Sequence, residues 1–225
     1  IFKRDGKTIY IENKIEKNSG RGDGAKLTIK VPKQSAVDAD LVSADLSAKK
    51  INGKAELSTV SGDLTAEDLG HEVKLTTVSG DIRLVGAGKN VEITSVSGDI
   101  HAELSAERLS ATSVSGDVKI DNKASLSRVS VESVSGDIGI TSAFNDGIEL
   151  DAETVSGDVV ITAIGSVNAK LKIETGPGGD ITNRLSDAKP SVSFISSQEL
   201  NTTIGSGRGS IKVDTVSGDI VLQKK

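Results

Sequence analysis

The chain has 225 residues and a formal net charge of −5, with 27 Lys and Arg scattered singly among 32 Asp and Glu, a balance that offers no basic stripe to a nucleic acid. Its aromatic side chains are confined to Phe2, Tyr10, Phe144 and Phe194, too few to stack bases or line a large apolar pocket. The absence of Cys excludes disulfides and thiolate metal sites. The chain also lacks Met, so Ile1 reads as a processed or engineered boundary with any signal peptide already removed. No apolar run approaches the roughly 20 residues that span a bilayer.

Residues 1–36 read as N-terminal strands that cap a body formed by residues 37–225, all within one domain. Residues 8–12 and 26–31 alternate apolar and polar side chains, the period of a strand with one buried face. Between them, residues 13–24 are charged and Gly-rich and read as an exposed loop. Arg21-Gly22-Asp23 in this loop spells an integrin-binding tripeptide, which a Gly- and Asp-rich chain produces by chance. Pro32 lacks a ladder donor and ends the second strand.

From there one phrase recurs. Val-Ser-Gly-Asp begins at Val60, Val78, Val96, Val114, Val134, Val155 and Val216, with first intervals of 18, 18, 18, 20 and 21 residues, and a degenerate copy places Asp45 18 residues before Asp63. A fixed period near 20 marks a solenoid, whose units bury their apolar faces only by stacking. The expected fold class is therefore all-β, a single-stranded parallel β-helix of 18–22 residues per coil. Roughly nine such coils make a rod about 45 Å long at the strand spacing.

Around Asp81, apolar residues fall at Ile82 and Leu84, at Val91 and Ile93, and at Val96; all are expected to face inward, with Arg83 and Glu92 outward. A hexapeptide β-helix needs an apolar residue every six positions, and the gaps here are 2, 7, 2, 3 and 4. Gly53, Gly70 and Gly88 mark a second corner. Beyond Asp158 the pattern loosens, with Thr175-Gly176-Pro177-Gly178-Gly179-Asp180 standing in for the motif. Residues 183–190 read as a loop and 191–196 as a strand. The final motif, 216–222, is expected to close the stack.

The iterated Val-Ser-Gly-Asp-Ile phrase, the Leu-Thr-Ile-Lys-Val-Pro lead-in at 27–32 and the Thr-Gly-Pro-Gly-Gly variant resemble the bacterial adhesin-type family of β-helix envelope proteins, over about residues 25–225. The resemblance implies a right-handed β-helix, export to the periplasm or cell surface and no established enzymatic activity. Gram-positive relatives, by the same resemblance, are linked to envelope stress sensing.

The glycines Gly62, Gly80, Gly98, Gly116, Gly136, Gly157 and Gly218 are expected to supply positive φ at a tight corner. The aspartates Asp63, Asp81, Asp99, Asp117, Asp137 and Asp158 would then stack in a column, where carboxylates one coil apart repel by about 0.9 kcal/mol even in water. Hydrogen bonds from turn N–H groups are the expected compensation. The same column is the candidate surface for sugar hydroxyls or divalent cations. One Gly-Asp per 18 residues is too sparse for the calcium β-roll pattern, and no metal or other cofactor is expected.

Polysaccharide cleavage on a β-helix needs paired carboxylates, or a metal and a base, in a groove built by loops. Only residues 176–208, with Asp180, Arg184, Asp187 and Arg208, are long enough to build one; His71 falls in a corner and His101 on an outward strand position. The outward pairs Thr76-Thr77, Thr94-Ser95 and Thr112-Ser113 are too irregular for an ice-binding array and read as hydroxyls satisfying corner backbone groups. The expectation is a non-enzymatic envelope scaffold that binds an envelope polysaccharide or an envelope protein. A sensory partner domain is the alternative, with a polysaccharide-cleaving enzyme behind it.

Overall fold

The computed structural model describes residues 2–12, 26–86, 88–193 and 196–225. The expected loop at 13–24, with Arg21-Gly22-Asp23, lies outside the described residues. Two compact units divide the chain, residues 1–30 and 31–225.

In the first unit β1 (Phe2–Asp5) and β2 (Thr8–Ile11) form an antiparallel hairpin. The strand expected at residues 26–31 is not formed, and Leu27, Ile29 and Val31 are exposed. Alternation assigns a face, but a strand also needs a ladder partner for its N–H and C=O groups. These residues join no ladder among the described residues.

The second unit has no helix among its described residues and is wound as a β-solenoid. Its strands are β3 (Val37–Ser43), β4 (Leu46–Lys49), β5 (Ala55–Ser61), β6 (Leu64–Glu67), β7 (Glu72–Ser79), β8 (Ile82–Val85), β9 (Asn90–Ser97), β10 (Ile100–Leu104) and β11 (Arg108–Ser115). The longer coils follow with β12 (Val118–Ser135), β13 (Ile138–Ser156), β14 (Val159–Ala163), β15 (Ala169–Thr175) and β16 (Ile181–Asn183). The chain ends with β17 (Ser191–Val192), β18 (Gln198–Ile204), β19 (Gly209–Ser217) and β20 (Ile220–Lys224).

Two parallel ladders run along the stack. β3, β5, β7, β9 and β11 form one, continued by the second halves of β12 and β13; β4, β6, β8 and β10 form the other, continued by their first halves. Ile82 pairs with Ile100 and Val91 with Leu109, so the 18-residue repeat is also the register. Ile82, Leu84, Val91 and Ile93 are buried as expected, and Arg83 and Glu92 are exposed. Residues 37–49 form β3 and β4, so the stack starts at the degenerate copy.

Within the solenoid the sequence expectation fails at two further places. Val96 faces out at 43% exposure, and the residue before it, Ser95, is buried. β9 runs unbroken from Val91 to Ser97, so strict period 2 carries Val91, Ile93 and Ser95 inward and leaves Val96 outside. The hydroxyl thus sits in the core beside the corner, where Ser95 Oγ donates to the Gly98 carbonyl at 3.2 Å and Ser113 Oγ to that of Gly116 at 3.3 Å. In the Thr94-Ser95 and Thr112-Ser113 pairs the inward hydroxyl therefore serves the corner backbone, as expected, whereas Thr77 Oγ1 is buried without a hydrogen-bond partner; the outward Thr76, Thr94 and Thr112 remain part-exposed.

The second failure concerns the end of the stack. β19 lies between β13 and β15, and β20 lies between β14 and β16, so the final motif is the penultimate layer in space. β15 carries on its other edge the antiparallel β18, which pairs in turn with the two-residue β17; of the strand expected at 191–196, residues 194 and 195 lie outside the described residues. The regular motif, with every N–H available, suits a layer paired on both sides. The irregular layer contains Pro177, which lacks a donor, and that suits the end. An antiparallel cover also blunts the open edge.

Candidate binding face

Each corner turns through a glycine. Gly98 has φ +132°, and a Cβ built on it would lie 2.2 Å from the carbonyl oxygen of Gly80 in the coil below. Both positive φ and close stacking therefore demand glycine here, and the other motif glycines share the positive φ.

The aspartates that follow form a ladder of their own. Asp63 N–H donates to Asp45 Oδ1, Asp81 to Asp63, Asp99 to Asp81 and Asp117 to Asp99, at 2.9–3.0 Å. Asp137, Asp158, Asp219 and Asp180 continue it, each N–H donating to the carboxylate of the layer before. Gln198 Nε2 ends the column on Asp180 Oδ1 at 2.6 Å. All the expected column residues are thus brought together and exposed. Asp45, Asp180 and Asp219 join them. The compensation expected from turn N–H groups is present, with the donor coming from the next coil.

Each carboxylate is thereby an acceptor first. Asp99→Ala removes the acceptor of Asp117 N–H and is expected to lower stability by about 1 kcal/mol, whereas Asp99→Asn retains an oxygen acceptor and relieves repulsion, keeping stability within about 0.5 kcal/mol. Urea denaturation measures both. An Asn variant as damaged as the Ala variant would show that the charge, rather than the hydrogen bond, holds the corner.

Beside the aspartates runs a column that sequence reasoning placed inside. Val42, Val60, Val78, Val96, Val114 and Val134 are exposed one above another, followed by Val155 and Val216. The missed signal was the period-2 count through the strand end.

Toward the C-terminal layers these valines border an open groove of about 760 Å³, whose other side carries Glu132, Glu153, Glu174 and Asp214 with Lys172 and Lys212. Lys212 is its electrostatic centre. Its Nζ lies 2.7 Å from Asp214 and 3.6 Å from Asp151 and pairs with Glu153. The hydrogen bonds that the ammonium donates to Asp214 and Glu153 hold its pKa well above the ordinary lysine value. Burial raises the carboxyl of Asp151, against the opposing pull of Lys212. Asp151, Glu153 and Asp214 could hold a metal ion by spacing alone, but the ammonium already stands among them, so a divalent cation would have to displace it. No sequence signal finds this cluster, because Glu153 and Lys212 are 59 residues apart and meet only through the intercalated β19.

The sign of this linkage is testable. A folded pKa raised above the unfolded value stabilises below the unfolded pKa and loses that stabilisation as pH rises through the folded one. Lys212→Met is therefore expected to be less stable than the parent by about 1 kcal/mol or less at neutral pH, given the partial exposure, with the difference shrinking in strongly alkaline solution. Thermal melts across pH check it; a gap that widens with alkalinity would refute the pairing.

Of the residues expected around an enzymatic groove, Asp180 and Arg208 take structural roles. Asp180 ends the ladder, and Arg208 Nη1 pairs with Asp146 at 2.5 Å, beside Asn168. The Asn168 and Arg208 hydrogen bonds hold the Asp146 carboxyl below its usual range. Arg184 and Asp187 are exposed, and so is His71. His101 Nε2 lies 3.2 Å from Glu103, which Arg83 also approaches at 3.4 Å. That outward ladder depresses the Glu103 carboxyl.

Stacked coils with continuous outward columns and an open groove define a β-solenoid whose surface is a repeated, preformed array. The chain belongs to the Toastrack DUF4097 family, whose model matches residues 2–223. That family is a domain of unknown function, and the match does not extend to the adhesin resemblance. No curated protein and no solved structure matches the chain.

Proposed function

We propose that the chain is a non-enzymatic binding scaffold of the bacterial cell envelope, which holds an envelope polysaccharide or protein by repeated weak contacts along its rigid outward columns. The observation that carries this reading is the continuity of the Asp ladder from Asp45 to Asp180. Each layer repeats the last at a spacing of about 4.8 Å, so a polymer meets many equivalent sites with little ordering cost. The groove supports binding over cleavage, because Lys212 stands among Asp151, Glu153 and Asp214 and engages these carboxylates as ion-pair partners. Export and the envelope setting rest on the adhesin-type resemblance. The alternative, a sensory partner domain, draws on the exposed valines, which suit a protein surface better than a sugar.

Co-sedimentation with bacterial sacculi and insoluble envelope polysaccharides, with soluble sugar assayed in the same tubes, tests the reading. Retention without sugar release is expected. Release would overturn it in favour of an enzyme, and neither retention nor release would leave the protein-partner alternative.

A further inference from the structure

We propose that the groove along Val114, Val134, Val155 and Val216 docks an amphipathic basic helix of a partner protein, its apolar ridge on the valines and its Lys or Arg side chains reaching carboxylates on both sides. This rests on the binding-scaffold reading and names its partner.

The floor is apolar and exposed. The four groove valines, 45–61% exposed, leave on the order of 300 Å² in water, within the range of the largest apolar patch on an ordinary monomer, which is often functional. Both banks are acidic. Glu132, Glu153, Glu174 and Asp214 line the groove on one side. On the other the chain turns from each valine through Ser and Gly to the Asp ladder, with Asp117, Asp137, Asp158 and Asp219 beside this stretch. Lys172 and Lys212 already pair with groove acids, and the surface retains an excess of negative charge. Long basic side chains suit such a surface, since their stems cover apolar area while the heads reach the carboxylates.

Spacing selects a helix. Successive valines rise by about 4.8 Å, near the 5.4 Å pitch of an α-helix, and the mismatch over four layers is only about 2 Å. Same-face residues of a strand recur every ~6.7 Å and fall out of step at once.

A second copy of this chain fits worse. A two-fold axis across the coil axis sets Asp ladder against Asp ladder. An axis parallel to it sets the ladder against Glu132, Glu153 and Asp214. Either juxtaposition is repulsive, and like charges across an interface select against a partner.

The test uses the full chain and labelled synthetic helical peptides read by fluorescence anisotropy. One peptide carries a leucine stripe flanked by lysines, a second has glutamates in place of the lysines, and a third is a scramble of the first without a stripe. The lysine peptide is expected to bind, the other two at least about tenfold more weakly, and raising salt should loosen the complex severalfold. The double variant V134S/V155S should weaken binding about tenfold while the protein stays folded with its melting temperature lowered by only a few degrees, because both side chains are already half exposed. Val60→Ser, outside the groove, should have little effect. Equal binding of the lysine and scrambled peptides, indifference to V134S/V155S, or no peptide binding at all would overturn the proposal; so would a dimer in sedimentation that V134S/V155S dissolves. Retention on sacculi without peptide binding would overturn this inference alone and leave the scaffold reading standing.

Discussion

Gly98→Ala is expected to destabilise the protein by more than about 4 kcal/mol, while Gly147→Ala stays within about 0.5 kcal/mol of the parent. Two separate penalties meet at Gly98. Its φ of +132° is strained for any L side chain, and an added Cβ would lie 2.2 Å from the Gly80 carbonyl oxygen and 2.6 Å from its carbon. That neighbour is backbone, so relief requires moving two coils apart and disturbing the Asp117-to-Asp99 and Asp99-to-Asp81 bonds on either side. At Gly165 only the first penalty applies, with φ +87° and no atom within 4 Å, so Gly165→Ala should cost about 1–2 kcal/mol. Gly147 has neither. Urea denaturation of the three variants separates conformational strain from steric contact. If Gly98 and Gly165 proved equally costly, coil stacking would not be what conserves space at the corner.

The parts of this fold that were legible in the sequence are those governed by translation along the stack. The 18-residue interval placed Ile82 under Ile100 and Asp81 under Asp99 because a parallel ladder in a solenoid pairs residues one coil apart. The glycine corners followed from the same repeat. Val96 was misplaced when a corner was allowed to interrupt the period of a strand that continues through it. Residues 26–31 had the pattern of a strand, but pattern does not supply a partner. The Lys212 cluster and the position of the last motif were illegible for another reason. A repeated motif looks the same wherever its layer is inserted, so the copy at 216–219 was compatible with either the end of the stack or its interior. Only the irregularity of residues 175–204 pointed to them as the terminal layer, and that signal was read as decay of the repeat.

Ending the chain at residue 208 is expected to unravel the last layers, where trimming a solenoid whose final motif closed the stack would leave the remaining layers paired. Ile211, Val213, Ile220 and Leu222 are each fully buried. At about 1.5–3 kcal/mol per side chain their burial contributes roughly 6–12 kcal/mol, comparable with the 5–15 kcal/mol that holds a typical domain together. Their removal also strips the ladder edges of β13 and β14 on one side and of β15 and β16 on the other. Hydrogen exchange should show protection lost across β14, β15 and β16 and retained in β5 to β9, since local opening in a solenoid spreads through nearest-neighbour layers. Persistent protection of β15 and β16 would mean that they can close directly onto β13 and β14, and that the intercalated layer is dispensable. The same geometry orders folding. Asp219 bonds to a residue 61 positions upstream and Asp180 bonds in turn to Asp219, so the terminal layer can dock only after the last strand of the chain has been placed. Such long-range closure is slow relative to coil-by-coil addition, and refolding of the parent should therefore regain protection in β5 to β9 before β15.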